Sequence, residues 1–401
     1  MKKPVYFDNH ATTAVDPRVL AVMLPTFSET YGNPESGHPF GWSARLLVEQ
    51  ARAQVAILVG ATDPSKEIVF TAGATESIHL AISSQTASLT AHQTLGTVRP
   101  HIITANTEHH ATLEACAAAE RAGAELTILQ ADKDGLITPE QVIAAVKPNT
   151  TLVTLMHANN EIGTIHPIAK IGKALRVHGK THEQEILFHV DAAQTAGKHE
   201  INVDDMSIDL LSLSAHKFHG PKGVGALYVK HTGKRSVRIT PLFTGGGQER
   251  GLRSGTLNVS GIVGLGHASE LAADEHYADR ARLTGLRNSI ITEVESKLKD
   301  VKLNGHRTER LCNNINFTFK GVEQDQLMFA LKDFAYSAAS ACVGPTQSHV
   351  LAAIGAASQS PTDATIRIGL SRLTKAEEVS SFLRVLIPAV QNAREISGGY
   401  G

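Results

Sequence analysis

An α/β architecture, with a mainly parallel sheet covered on both faces by helices, follows from three features of the chain. Its 401 residues, at roughly 100–200 per domain, allow a large core and a second, smaller domain. Short β-rich apolar runs alternate with longer amphipathic stretches over residues 40–230, which is the pattern of βαβ units. Those runs are continuously apolar rather than alternating, as strands buried on both faces of a parallel sheet are.

Residues 41–59 read as a helix because Leu47, Ala51, Val55 and Leu58 recur at helical spacing, with Arg45, Glu49, Arg52 and Gln54 between them. A buried strand follows at Ile68-Val69-Phe70. Further strands are expected at residues 101–104, 126–129, 151–155 and 187–190. Helices over residues 75–90, 111–122, 138–146 and 168–178 separate them. The stretch Thr244-Gly245-Gly246-Gly247-Gln248-Glu249-Arg250-Gly251 is too glycine-rich for an element interior and reads as a functional loop. A long helical region runs from Gly261 to Leu298. Beyond it, Ile315-Asn316-Phe317-Thr318-Phe319 alternates with period two, as a half-buried antiparallel strand should. The rest mixes helices and strands and reads as a smaller α+β domain.

Composition narrows the function. Apolar residues supply 42% and charged residues 19% of the chain, a balance that excludes a disordered polypeptide. With 38 Lys+Arg against 39 Asp+Glu the formal charge is −1, so no net positive field draws nucleic acid or anionic lipid. The longest apolar stretches fall far short of the roughly 20 residues that cross a bilayer, and the charged start Met1–Asp8 leads into no apolar run of a secretory signal. A cytoplasmic protein with neither nucleic acid nor membrane as partner is expected. Cys116, Cys312 and Cys342 are odd in number, far apart and without a C-x-x-C pair, so neither a disulfide framework nor a metal site is indicated. Any cysteine chemistry rests on one thiol acting alone.

His189-Val190-Asp191-Ala192-Ala193-Gln194 and Ser214-Ala215-His216-Lys217 each follow an apolar strand, so Asp191 and Lys217 project where open α/β sheets hold ligands. A buried carboxylate in one loop and a lysine in the next suit pyridoxal phosphate: the lysine forms a Schiff base and the carboxylate keeps the pyridine nitrogen protonated. A structural ion pair is the alternative for these two residues alone. Thr71-Ala72-Gly73-Ala74-Thr75-Glu76 joins a strand to a helix and leaves backbone N–H groups for a phosphate, or forms an ordinary capped turn. Thr107-Glu108-His109-His110 puts an imidazole at another strand end, where it can stack on a ring or shuttle protons. Met156-His157-Ala158-Asn159-Asn160-Glu161 adds two amides at a further strand end.

These segments occur in order with Asp8-Asn9-His10-Ala11-Thr12-Thr13, Gly32-Asn33-Pro34, Asn159-Asn160-Glu161-Ile162-Gly163 and Arg253-Ser254-Gly255-Thr256. The ordered series closely resembles the cysteine desulfurases of the NifS/IscS type, members of the class V aminotransferase group with PLP fold type I, from Tyr6 to Leu373. The resemblance implies a mainly parallel seven-stranded sheet flanked by helices in a large domain over residues 14–264. It implies a small α+β domain formed by residues 1–13 and 265–401, carrying the catalytic cysteine loop.

Carried over by position, the resemblance makes Lys217 the Schiff-base lysine and Asp191 the pyridinium partner. It places Gln194 and Asn160 on the ring hydroxyl and His109 on the ring face. Ala74, Thr75, Ser214 and His216 hold the phosphate, which Thr256 completes from the neighbouring subunit of a homodimer. Arg367 grips the substrate carboxylate, assisted by Asn33, because a planar guanidinium makes two parallel hydrogen bonds to it. Cys342, within Ser337-Ala338-Ala339-Ser340-Ala341-Cys342-Val343-Gly344-Pro345, decides the reaction class. A plain aminotransferase has no use for a thiol there, whereas a desulfurase needs a thiolate to take sulfur from L-cysteine as a persulfide, leaving L-alanine. An acceptor protein, an iron–sulfur scaffold or a sulfur carrier, is the implied partner, for iron–sulfur cluster assembly or tRNA thiolation. After Cys342 this chain has Val343-Gly344-Pro345 where long-loop members have a run of Ser and Ala. A selenocysteine lyase or sulfinate desulfinase, and a non-catalytic PLP-binding member, are the alternatives.

Overall fold

The computed structural model describes residues 3–92, 99–231, 236–338, 348–356 and 363–398. The first strand, β1 (Val5–Tyr6), pairs in parallel with residues Phe334 and Ala335, so the start of the chain lies beside its last third.

The large sheet contains β2 (Ile68–Thr71), β3 (His101–Ala105), β4 (Glu125–Leu129), β5 (Thr150–Met156), β6 (Leu187–Asp191), β7 (Leu210–Ser214) and β8 (Gly225–Val229). Their order is β2-β8-β7-β6-β5-β3-β4. The five strands from β7 to β4 are parallel, and β8 runs against both of its neighbours. The seven-stranded, mainly parallel sheet expected from the sequence is therefore present, with β8 as the reversed strand. Gly225 opens β8 because nothing larger fits. A Cβ there would stand 2.4 Å from the Leu213 carbonyl oxygen and 2.7 Å from Gly73 Cα.

Helices cover both faces. On one side Val48 and Val55 of the helix Pro39–Val59, Ile171 and Leu175 of Ile168–Thr181, and Leu265 of Val259–Lys297 pack on Ile103, Val153, Phe188 and Leu211. On the other, Ile78 and Ile82 of the helix Ala74–His92 and Cys116 of His110–Arg121 pack on Ile102 and Leu152. At roughly 1.5–3 kcal/mol for each large side chain fully buried, these two layers hold the strand ends in place. The helix expected over 138–146 is shorter, Pro139–Ala144, and starts at a capping box between Thr138 and Gln141.

A second sheet follows the long helix: β9 (Val301–Leu303), β10 (Asn314–Lys320), β12 (Ser337–Ala338) and β13 (Asp363–Gly369), all antiparallel in the order β12-β13-β10-β9. The partner of β1 is β11 (Phe334–Ala335). Phe7, Phe317, Phe319, Phe334 and Phe382 form the core of this part, with Phe7 edge-on to Phe382 at 5.3 Å. The helix Val259–Lys297 serves both cores, the first through Ile262 to Ala272 and the second from Leu283 onward.

Candidate active site

The C-terminal ends of β5, β6 and β7 open into a cavity of ≈ 800 Å³ lined by Ala74, Thr75, His109, Asn160, Asp191, Gln194, Ser214, His216 and Lys217. Nine of the residues singled out in the sequence thus share one space. Met156 adds apolar wall, as do Leu242 and Phe243, which the sequence did not single out.

Asp191 ends β6 and is buried, and the Ala193 N–H donates to its Oδ1 at 2.9 Å. Burial raises its pKa, while His109 and Lys217 pull in the other direction. A carboxylate so desolvated is stabilised by a cation brought against it. Lys217 stands in the 3₁₀ turn after β7, and its Nζ donates to the carbonyls of His10 at 2.7 Å and Ala11 at 3.0 Å. His109 caps the helix His110–Arg121: the Ala111 N–H donates to its Nδ1 at 3.1 Å, so the neutral ring carries its proton on Nε2. Burial lowers the His109 pKa, as it does for His216, which falls to about 4 next to Lys217.

At the far end of the cavity the helix Ala74–His92 presents its first turn. The turn before it is closed by its own side chains. Thr71 Oγ1 and Ser77 Oγ lie 2.8 Å apart, and the Ala72 N–H donates to Glu76, which is paired with Arg253 at 2.8 Å. The first-turn N–H groups of Ala74 and Thr75 have no intrahelical acceptor, as at any helix start, and the positive end of the helix dipole favours an anion beside them. An amine, a buried carboxylate and an anion cradle around one cavity of ordinary ligand size fit pyridoxal phosphate.

Three other residues named from the sequence stand apart from the cavity wall. Asn33 is exposed, its Oδ1 accepting from the Glu35 N–H at 3.0 Å, and Thr256 is exposed on the loop that follows Arg253. Arg367 is buried on β13. Its Nη2 reaches Asp8 Oδ1 at 2.8 Å and Ser337 Oγ at 2.7 Å, and its Nη1 reaches the carbonyl of Asn160, a cavity residue, at 3.2 Å. Arg367 Nε has no acceptor among the described residues. Cys342 lies outside the described residues. Cys116 and Cys312 are buried, and burial pushes their thiols up, that of Cys116 to about 12. Neither is a nucleophile at neutral pH.

The sheet order and the lysine–carboxylate cavity at its strand ends are those of an α/β enzyme of the aminotransferase kind, and the comparisons agree. The chain matches the family model "Aminotransferase class-V" over residues 5–382 and belongs to that family. It is 46% identical to "Cysteine desulfurase IscS" of Anaeromyxobacter dehalogenans, covering 100% of this chain and 96% of the relative. Among solved structures it resembles a "NIFS-LIKE PROTEIN" with a TM-score of 0.85 and 36% identity, covering 97% of this chain and 100% of that one. It also resembles one described as "SspA in complex with cysteine", with a TM-score of 0.77 and 39% identity over 91% of this chain and 98% of that one.

Proposed function

We propose that this chain is a pyridoxal-phosphate-dependent cysteine desulfurase that converts L-cysteine to L-alanine and moves the sulfur to Cys342. The observation that carries this reading is the single cavity shared by Lys217, Asp191, His109 and the first turn of the helix Ala74–His92. Relatives named cysteine desulfurase, matched over 96% and 95% of their length, support it.

When bound, pyridoxal phosphate supplies an electron-accepting ring that stabilises the negative charge left once the substrate's α-proton is removed. The protein's own groups do the rest. Lys217 would hold the cofactor through its side-chain amine, and the same Nζ would serve as the base that carries the α-proton. Asp191 holds the ring-nitrogen proton, His109 stacks on the ring, and Asn160 and Gln194 hold the ring hydroxyl. Ala74, Thr75, Ser214 and His216 hold the phosphate. Arg367 and Asn33 orient the substrate carboxylate. The Cys342 thiolate attacks the substrate sulfur, so that an S–S bond forms as the substrate's carbon–sulfur bond breaks.

Thr256 completes the phosphate site of a second copy in a homodimer. The exposed apolar side chains Phe27, Tyr31, Phe40, Trp42 and Leu46 support that association. Residues 14–264 act as the cofactor domain, with 1–13 and 265–401 as the small domain. The acceptor is a protein, an iron–sulfur scaffold or sulfur carrier serving cluster assembly or tRNA thiolation, in the cytoplasm. No helix among the described residues is long and apolar enough to cross a membrane.

The test is turnover of L-cysteine by the cofactor-loaded protein in the presence of a reductant. Alanine and sulfide in equal amounts, both lost in Lys217→Ala and Cys342→Ala, are expected. Cysteine turnover retained in Cys342→Ala rejects the persulfide step, and activity on selenocysteine alone points to a lyase. A yellow protein that releases no alanine is a non-catalytic binder.

A further inference from the structure

Gln194 reaches the cavity from a chain of buried polar groups that begins in the second sheet. Arg310, buried, donates from Nη1 to Asn314 Oδ1 at 2.8 Å, while its other nitrogens are taken by the carbonyls of His306 and Asn304. Asn314, on β10, has its Nδ2 at 3.1 Å from both the Glu161 carbonyl oxygen and His10 Nε2. His10 Nδ1 lies 3.0 Å from Gln194 Oε1, and Gln194 Nε2 donates to the His10 carbonyl at 3.1 Å. His10, Asn314 and Gln194 are all buried.

The direction of every bond in this chain is forced. A guanidinium has no acceptor, so the Asn314 atom facing Arg310 must be its oxygen. The carbonyl of Glu161 requires the nitrogen of Asn314 on the other side, which agrees. That nitrogen donates to His10 Nε2, and the His10 proton therefore sits on Nδ1. The atom of Gln194 facing Nδ1 must then be its oxygen. One hydrogen of the Gln194 nitrogen goes to the His10 carbonyl; the second has no acceptor among the described residues, and Gln194 lines the cavity. Burial and the nearby cations keep His10 from taking a second proton, which would destroy the pattern.

We propose that Arg310, Asn314 and His10 are positioning residues that fix the Gln194 amide so that it offers the cavity an N–H donor rather than a carbonyl. This rests on the pyridoxal phosphate reading for its consequence, since a donor suits the ring's anionic oxygen and a carbonyl repels it. It does not rest on that reading for its geometry. The relay also ties the second sheet to the cavity, because Asn314 belongs to β10 and the same His10 carbonyl accepts from Lys217.

Two measurements test it. In the full-length protein, ¹⁵N shifts of histidine, assigned by loss of the His10 signal in His10→Ala, should show the Nδ1–H form. An Nε2–H or charged imidazole overturns the relay. Pyridoxal phosphate binding is then compared across His10→Ala, Gln194→Ala and the double variant. Loss of one hydrogen bond corresponds to roughly tenfold weaker binding, and His10→Ala should cost that in the native background and less than about twofold when Gln194 is already alanine. Equal losses in both backgrounds overturn the proposal. Asn314→Asp, which still accepts from Arg310 but cannot donate to His10, should repeat the pattern, and unchanged binding there counts against it. A protein that takes up no pyridoxal phosphate ends the functional reading, and the His10 tautomer alone then decides the relay.

Discussion

Glu249 receives the guanidinium of Arg52 through two hydrogen bonds, 2.7 Å to Oε1 and 2.8 Å to Oε2, with the two side chains only 1% and 5% exposed. The Phe70 N–H donates to the same carboxylate at 2.8 Å, and the Arg52 guanidinium lies 4.6 Å above the Phe70 ring. Glu249 and Arg250 both hold left-handed backbone, with φ of 48° and 60°, a conformation that residues other than glycine adopt at a cost. The glycine-rich loop before Thr256 is therefore pinned to the helix Pro39–Val59 by a buried ion pair, to β2 by the Phe70 N–H, and to the helix Ala74–His92 by Arg253 and Glu76.

Glu249→Ala leaves Arg52 charged and buried with only the half-exposed Glu49, 3.3 Å away, to face it, a loss of roughly 3–5 kcal/mol. Urea unfolding of the variant should show it as a lowered midpoint at unchanged slope. The double variant Arg52→Met with Glu249→Leu should recover most of the stability, since an apolar pair of similar volume carries no desolvation cost. A loss under about 1 kcal/mol in Glu249→Ala contradicts a buried pair of this kind.

Acid should destabilise the fold before its surface carboxylates titrate. His157 and His189 are pushed down to about 3 and His166 to about 4, in each case by burial. Each imidazole takes its proton on unfolding at about 6.5 but resists it when folded. Below that pH the unfolded chain binds more protons, so stability is present above the unfolded value and is lost as pH falls toward the folded ones. Glu108, raised by burial, works with the opposite sign and offsets part of this. The net slope is on the order of 1–3 kcal/mol per pH unit below pH 6.5. Denaturation curves at neutral pH and about one unit below the ordinary histidine value decide it; constant or rising stability on acidification contradicts the neutral buried histidines.

Arg367→Lys should raise the KM for cysteine at least tenfold while the cofactor's absorbance is kept. An ammonium replaces a planar fork by a single point of attachment, and the Asn160 carbonyl and Asp8 lose a partner at the same time. Steady-state kinetics separates the two parameters. An unchanged KM removes Arg367 from substrate binding.

Cys116→Ser and Cys312→Ser should leave turnover within about twofold, because thiols raised by burial are neither nucleophiles nor persulfide carriers at neutral pH. Sulfide release by each variant checks this, and a collapse of activity in a variant with unaltered thermal unfolding assigns that cysteine a chemical role.

The parallel strands were legible because burial on both faces leaves a local mark, an unbroken apolar run, and the strand ends then pointed to Asp191 and Lys217. Nothing comparable marks Gly225–Val229 as the strand that runs against the others. Its direction goes with the short connection from Leu210–Ser214, too short for a parallel crossover, and with its second antiparallel partner Ile68–Thr71, far back in the chain. The motif containing His10 was visible in the sequence, but its role depends on Asn314, 304 positions away, a contact no local pattern encodes. Thr256 and Asn33 lie outside the cavity of their own chain. Their assignment comes from the family series, and the geometry of one chain carries no signal for it.

The most direct measurement is mass spectrometry of the cofactor-loaded protein after brief exposure to L-cysteine without reductant. One added sulfur atom on the peptide containing Cys342, together with one equivalent of alanine and a cofactor reducible by borohydride onto Lys217, is the expected result. Alanine formed with Cys342 unmodified, or sulfur on Cys116 or Cys312 in its place, contradicts the persulfide mechanism.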